Sequence, residues 1–236
     1  MIALSSRRPG LATALTVCVV LALSVSGCSK SSRLPTAVSV PTPPAPSGPV
    51  GAVQFLQWCW THRDIAHYHE IFTDDFDFAF AAVDTAGDPA LQLPWTREDE
   101  LISAQHIFDA ASSITLPFEG DLLDQPDPRP GKTDPVHRRV RIAYLTLTIN
   151  KKDGGAYRAL VSSMFYLVRG DSAAIPQELK DRGFKPVTTR WYVERWEDQS
   201  NTGALAATTI RERAAAPPAR PAGKLVTWGG IKLLFR

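Results

Sequence analysis

Chemistry-bearing side chains crowd the stretch from residue 62 to residue 77: His62, His67 and His69, then Asp74, Asp75 and Asp77. A helical metal pair needs ligands four residues apart. His67 and His69 are two apart and leave a helix on different sides. No metal centre and no cofactor is therefore expected, and the aspartates read as a turn followed by one outward strand residue. Gly131-Lys132-Thr133 has the ending of a phosphate loop, but the earlier glycine is Pro126 and no strand feeds it, so PDPRPGKTDP (126–135) reads as a surface loop. Arg169-Gly170-Asp171 reads as a strand-ending turn, and no GxSxG nucleophile elbow occurs. Cys59 sits between Trp58 and Trp60, whose apolar surfaces disfavour a thiolate; it reads as a small buried hydrophobe.

These residues lie on a legible series of elements. Val53–Thr61 has helical spacing, and Asp64 is an N-cap for a second helix carrying Ile65, Tyr68, Ile71 and Phe72. Phe76, Phe78 and Phe80 alternate with Asp77 and Ala79, the period of a half-buried strand. Thr96 with Asp99 three residues on opens a third helix as a capping box. After a short strand at Ile114–Phe118 come two long ones, Arg139–Asn150 and Ala156–Arg169, joined through Asp153-Gly154-Gly155, a hairpin signal. Arg190–Trp196 is the last strand. Helices followed by an antiparallel meander give an α+β class, helices on one face of a curved sheet. The Ala156–Arg169 strand is apolar on both faces, so a partner copy or the C-terminal LVTWGGIKLLFR is expected to cover the second face.

The N-terminus carries an address. Arg7 and Arg8 precede an apolar run, Leu11 to Val25, of signal-peptide length and too short to span a bilayer. Val25-Ser26-Gly27-Cys28 resembles a bacterial lipobox. The resemblance implies cleavage before Cys28, lipidation of Cys28, and a mature chain tethered outside the cytoplasm, where two or three acyl chains make a stable anchor. Which membrane holds it is left open. The expected organisation is a signal peptide over 1–27, the lipidated cysteine and a Pro/Ser-rich tether over 28–52, one domain over 53–200, an Ala/Pro-rich linker over 201–224, and a C-terminal segment, 225–236, docked on the domain. Removing 1–27 leaves 24 of the 26 basic side chains against 24 acidic ones, a net charge of zero. No basic run with interleaved aromatics occurs, which excludes nucleic acid as a partner.

FLQWCWTHRDIAHYHEIFTDDFDFAF (55–80), WTREDEL (95–101), the paired long strands and RWYVERWED (190–198) together resemble the nuclear transport factor 2-like superfamily, also called SnoaL-like or ketosteroid isomerase-like. The resemblance implies a cone-shaped curved antiparallel sheet with about three N-terminal helices on its concave face, a pocket between them, and dimerisation through the sheet. In the isomerase members a general-base aspartate falls near the end of the first strand and an oxyanion tyrosine lies on the first helix. The matching positions here are close to Phe80 and Leu56, which departs from that chemistry. Candidate pocket-lining residues are Trp58, Phe78, Phe80, Phe108, Tyr144, Met164 and Trp191 for an apolar ligand. Arg97 would orient an anionic one, and Thr146 and Ser162 are polar exceptions on the long strands.

The leading expectation is thus a membrane-anchored extracytoplasmic lipoprotein whose domain binds a small apolar ligand or a protein partner without catalysis. Two alternatives stand beside it. One is a SnoaL-type isomerase, dehydratase or cyclase acting on an apolar molecule, with Asp77, Asp84 or a histidine as base. The other is a purely structural envelope lipoprotein.

Overall fold

The computed structural model describes residues 41–86, 95–199 and 224–236. The lipobox, Cys28, most of the tether and most of the linker lie outside these residues. The elements run α1 (Pro49–His62), α2 (Ile65–Tyr68), β1 (Phe72–Ala79), α3 (Ala82–Thr85), β2 (Trp95–Thr96) and α4 (Arg97–Ala110). Then follow β3 (Ala111–Thr115), β4 (Phe118–Glu119), β5 (Leu123–Pro126), β6 (His137–Lys151), β7 (Ala156–Arg169), α5 (Gln177–Asp181), β8 (Trp191–Asp198), β9 (Lys224–Leu225) and α6 (Trp228–Leu234).

Helix α1 begins at Pro49, ahead of the expected Val53, because proline at the first position has the right φ and lacks only an N–H that would go unpaired there. It ends at Arg63, a non-glycine residue in the left-handed region (φ 54°). The Arg63 guanidinium donates to the Ala111 carbonyl at 2.7 Å, tying the helix end to β3. Asp64 caps α2 by accepting the His67 backbone N–H at 3.0 Å, but the helix lasts one turn, and the chain extends into β1 at Phe72. The β-branched and aromatic run IFT favours that strand over further helix. Helix α4 has the full capping box: Thr96 Oγ1 accepts the Asp99 N–H, and Asp99 Oδ2 accepts the Thr96 N–H.

The sheet order is β2-β1-β8-β7-β6-β3, with β4 and β5 also on β6 and β9 on β7. Most neighbours are antiparallel; β1 with β8 and β7 with β9 are parallel. The β6–β7 turn closes through Lys151 N–H to the Gly155 carbonyl at 2.7 Å, with Gly154 at φ +90°, as the Asp-Gly-Gly signal requires. Register shifts between Ile142 and Leu145, and between Tyr166 and Leu167, are bulges that bend and twist the long strands. Helices α1, α2 and α4 pack on the sheet through one large core containing Phe55, Trp60, Tyr68, Ile107, Phe165, Trp196 and Trp228. This is an α+β arrangement, helices packed on one face of a mostly antiparallel sheet.

The second apolar face of β7 is covered by the chain's own loops. Val168 packs with Ile175, Leu179 and Tyr192, and with Val136, Ala173 and Phe184 beside them. The Arg129 guanidinium lies 4.2 Å from the Tyr166 ring centroid. Arg129 is anchored by Asp127 and Glu194, and Lys132 Nζ reaches Glu194 at 2.5 Å. The Gly131-Lys132-Thr133 loop thus serves as cover for the sheet. Arg169 and Asp171 pair with each other at 2.8 Å, closing that turn on itself. The C-terminal segment does not lie on this outer face; Trp228 and Ile231 join the core on the concave side. Burying a tryptophan there removes more apolar surface from water than the already covered outer face offers.

Candidate functional site

Strand register builds the floor of the cone. β7 pairs Phe165 with Trp196, and β1 pairs Phe78 with Trp196. The ring centroids are 4.8 Å apart for Phe165–Trp196 and 5.2 Å for Phe78–Trp196. From the helical side, Trp60 meets Phe108 edge-on at 5.4 Å and Tyr68 at 6.2 Å. In the fold implied by the resemblance, this space between helices and sheet is the pocket.

Here α6 fills it. Thr227 caps the helix, its Oγ1 accepting the Gly230 N–H at 2.8 Å. Trp228 is wholly buried, edge-on to Trp196 at 4.4 Å and to Trp60 at 5.0 Å. Gly229 passes so close to Asp84 and Phe80 that a β-carbon would lie 2.7 Å from both. Its N–H donates to Asp198 Oδ2 at 2.9 Å.

One turn beyond Trp228, on the same helix face, Lys232 enters the interior. Its Nζ sits 3.7 Å from the Trp196 ring centroid and 3.8 Å from that of Phe78, and pairs with Glu100 Oε2. Both side chains are 1% exposed, so the pair is fully desolvated. Glu100 also accepts the Tyr68 hydroxyl at 2.6 Å and the Trp95 indole N–H at 3.2 Å. Burial lowers the Lys232 pKa to about 8, against the opposing pull of the Glu100 and Asp198 carboxylates, so the ammonium stays charged at neutral pH. Burial, and then the Glu100 carboxylate, push the Tyr68 phenol well above its ordinary range.

The expected pocket residues separate into groups. Phe78, Phe80 and Phe108 line the filled interior, Phe80 standing edge-on to Phe78 at 4.9 Å and to Trp95 at 5.2 Å. Trp191 is buried in the same core. Trp58 is half-buried and stacks on the exposed His62 at 4.3 Å. Tyr144 is 63% exposed and lines no interior. Thr146 donates to Glu119 at 3.3 Å, and Ser162 to the Ile142 carbonyl at 3.2 Å. Met164 alternates with Phe165 and so lies on the outer face, buried. Arg97 stays outside the cone: its guanidinium donates to the His69 carbonyl at 2.8 Å and pairs with Glu178 at 2.5 Å. It sits in an open surface groove of about 790 Å³ that also includes His69, Asp74, Thr96, Ile102 and His106.

Glu100 and Lys232 are not among the expected site residues; Glu100 lies within the WTREDEL helix. A signal was present: Lys232 is the sole charge between Leu225 and Phe235, four residues after Trp228. Among the described residues no group of three or more His, Cys, Asp or Glu side chains is placed to hold a metal ion. Nor is any helix of these residues long and apolar enough to cross a membrane. Cys59 is buried, and burial raises its thiol pKa far beyond the usual range.

Asp84, at the rim, accepts the Thr227 hydroxyl through Oδ1 while Oδ2 is buried without a partner. Burial raises its pKa to about 6; the Thr227 bond opposes this and the Asp198 carboxylate adds to it. The folded chain therefore holds the Asp84 proton more tightly than the unfolded chain, and this contribution to stability is lost as pH rises from about 4 through 6. We predict that Asp84→Asn becomes progressively more stable relative to wild type across that window and holds its advantage above it. Thermal denaturation at pH 4.5 and 7.5 checks this; a difference independent of pH would contradict it.

No family model matches the chain, and no curated protein matches it. Among solved structures it is similar to a nuclear transport factor 2-like superfamily protein from Salmonella enterica, at 11% identity over 64% of this chain and 89% of that one, TM-score 0.42. It is similar to a ketosteroid isomerase-like protein from Erwinia carotovora atroseptica, at 14% identity over 66% and 97%, TM-score 0.39. A protein with a cystatin-like fold from Caulobacter vibrioides matches at 11% identity over 69% and 94%, TM-score 0.43.

Proposed function

We propose that this chain is a lipid-anchored, extracytoplasmic binding protein whose nuclear transport factor 2-like domain acts without catalysis. The observation that carries the non-catalytic reading is the filled cone. Glu100 is consumed by Lys232, Tyr68 and Trp95, and Asp198 accepts the Gly229 N–H, so among the described residues these two interior carboxylates are engaged by the chain itself rather than free to take a proton from a substrate. The anchor reading rests on Val25-Ser26-Gly27-Cys28 and the Pro/Ser-rich stretch after it. Its test is fractionation of a bacterial host expressing the full chain. Wild type is expected in the membrane fraction, released only by detergent, and Cys28→Ala in the soluble extract or as unprocessed precursor. Wild type free of the membrane would sink the anchor. Native mass spectrometry of residues 29–236 tests the domain: an apo mass is expected.

The SnoaL-type reading keeps one observation in its favour. The Tyr68–Glu100 hydrogen bond, walled by aromatics, is the kind of pair that could hold or move a proton if α6 withdrew. A co-purified small molecule converted to product by the intact chain would establish it.

A further inference from the structure

We propose that the cone interior is a binding site for a primary ammonium carried on an aromatic body, and that Lys232 and Trp228 of the chain's own C-terminal segment are its built-in, displaceable occupants. This rests on reading the domain as a binding module and names the chemistry of its ligand.

The site is assembled without α6. Phe78, Trp95, Tyr68, Glu100 and Trp196 all come from β1, β2, α2, α4 and β8. Two aromatic faces lie within 4 Å of the nitrogen they receive, an arrangement that favours a cation. The carboxylate opposite is oriented by two further donors, Tyr68 and Trp95, so it is aimed before the cation arrives. Beside it, the rings of Trp60 and Trp196 form the walls that hold the Trp228 indole.

The occupant is held in the manner of a docked peptide. Helix α6 has seven residues, two of them glycine, too short and too glycine-rich to be helical by itself. Among the described residues its backbone ties to the domain are few: two β9 residues paired with β7, the Val226 N–H to the Arg158 carbonyl at 3.0 Å, the Gly229 N–H to Asp198, Ser103 Oγ to the Lys232 carbonyl at 3.2 Å, and His106 Nδ1 to the Phe235 carbonyl at 2.8 Å. Its side chains supply the rest: the Trp228 indole and the Lys232 ammonium in the cone, with Ile231 in the core beside them and the Thr227 hydroxyl on Asp84. A ligand presenting the same two groups competes for the same contacts.

The test uses the full chain. Lys232→Ala removes a propylammonium from the cavity and should lower Tm. n-Propylamine should then restore at least half of the loss, saturably, while 1-propanol at equal concentration should not. Equal rescue by both, or by neither, overturns the proposal, because the hole would then be merely apolar or closed. If Lys232→Ala fails to fold, wild type answers through hydrogen exchange. Tryptamine should accelerate exchange of the 228–234 amides, and the neutral isostere tryptophol should not. No response, or the same response to both, overturns it. Membrane fractionation separates the two levels: a failed amine response leaves the anchor intact, and a soluble wild type leaves the ammonium site intact.

Discussion

Trp228→Ala is expected to release the C-terminal segment while the sheet survives. The ring is wholly buried between Trp60 and Trp196, and removing such a side chain costs about 3–5 kcal/mol. The loss falls on a segment with few backbone ties, so it should appear first as local opening. Exchange of the 226–235 amides should rise by roughly two to three and a half orders of magnitude, since each 1.4 kcal/mol is a factor of ten. Amides of β6 and β7, which pair along almost their whole length, should keep most of their protection. Equal loss of protection in both places would mean that α6 belongs to the cooperative core, and the displaceable-occupant picture would fall with it.

Glu100→Ala is expected to be the most damaging single replacement of a polar group. It strands the Lys232 ammonium in an apolar interior and removes the acceptor of the Tyr68 hydroxyl and the Trp95 indole. Breaking a buried pair from one side costs about 3–5 kcal/mol. The effect should depend on pH with a definite sign. In wild type the Lys232 pKa lies near 8, below its unfolded value, so between those two values the unfolded chain binds more protons and stability gains with pH. Without Glu100 the support for the charge is gone, the folded pKa falls further, and this window extends below 8. The deficit of Glu100→Ala relative to wild type should therefore shrink on going from pH 6 to pH 9 in urea titrations. Glu100→Gln, which keeps an acceptor for Tyr68, should show a smaller deficit. A deficit that does not change with pH would show that lost packing, not the stranded charge, is its source.

Much of the frame was legible in the residues. The Thr96–Asp99 capping box, the Asp64 cap, the Asp-Gly-Gly turn and the alternation of β1 are local signals, and each is realised in structure. Element ends moved where local and tertiary preferences competed. The second helix stops after Tyr68 because Phe72 is drawn into a strand beside Val193. The candidate site was less legible. Arg97 lies on the expected helix, yet its guanidinium turns to His69 and Glu178, a choice made by α5 far along the chain. Tyr144 lies on a long strand, but near a bulge that leaves it exposed.

By itself, then, the sequence determined the α+β class, the order of the three main helices and the long strands, and the turns and caps that delimit them, because those depend on residues within a few positions of one another; the short elements α3, β2, β4, β5, α5, β9 and α6 appear only in the structure. The tertiary structure alone decided that the cone is occupied and by what. Lys232 and Glu100 are 132 residues apart, and no local pattern records their pairing. An isolated lysine on an apolar stretch is costly to bury and reads as solvent-facing. It becomes an interior residue only where a carboxylate, two aromatic faces and a neighbouring tryptophan meet it together.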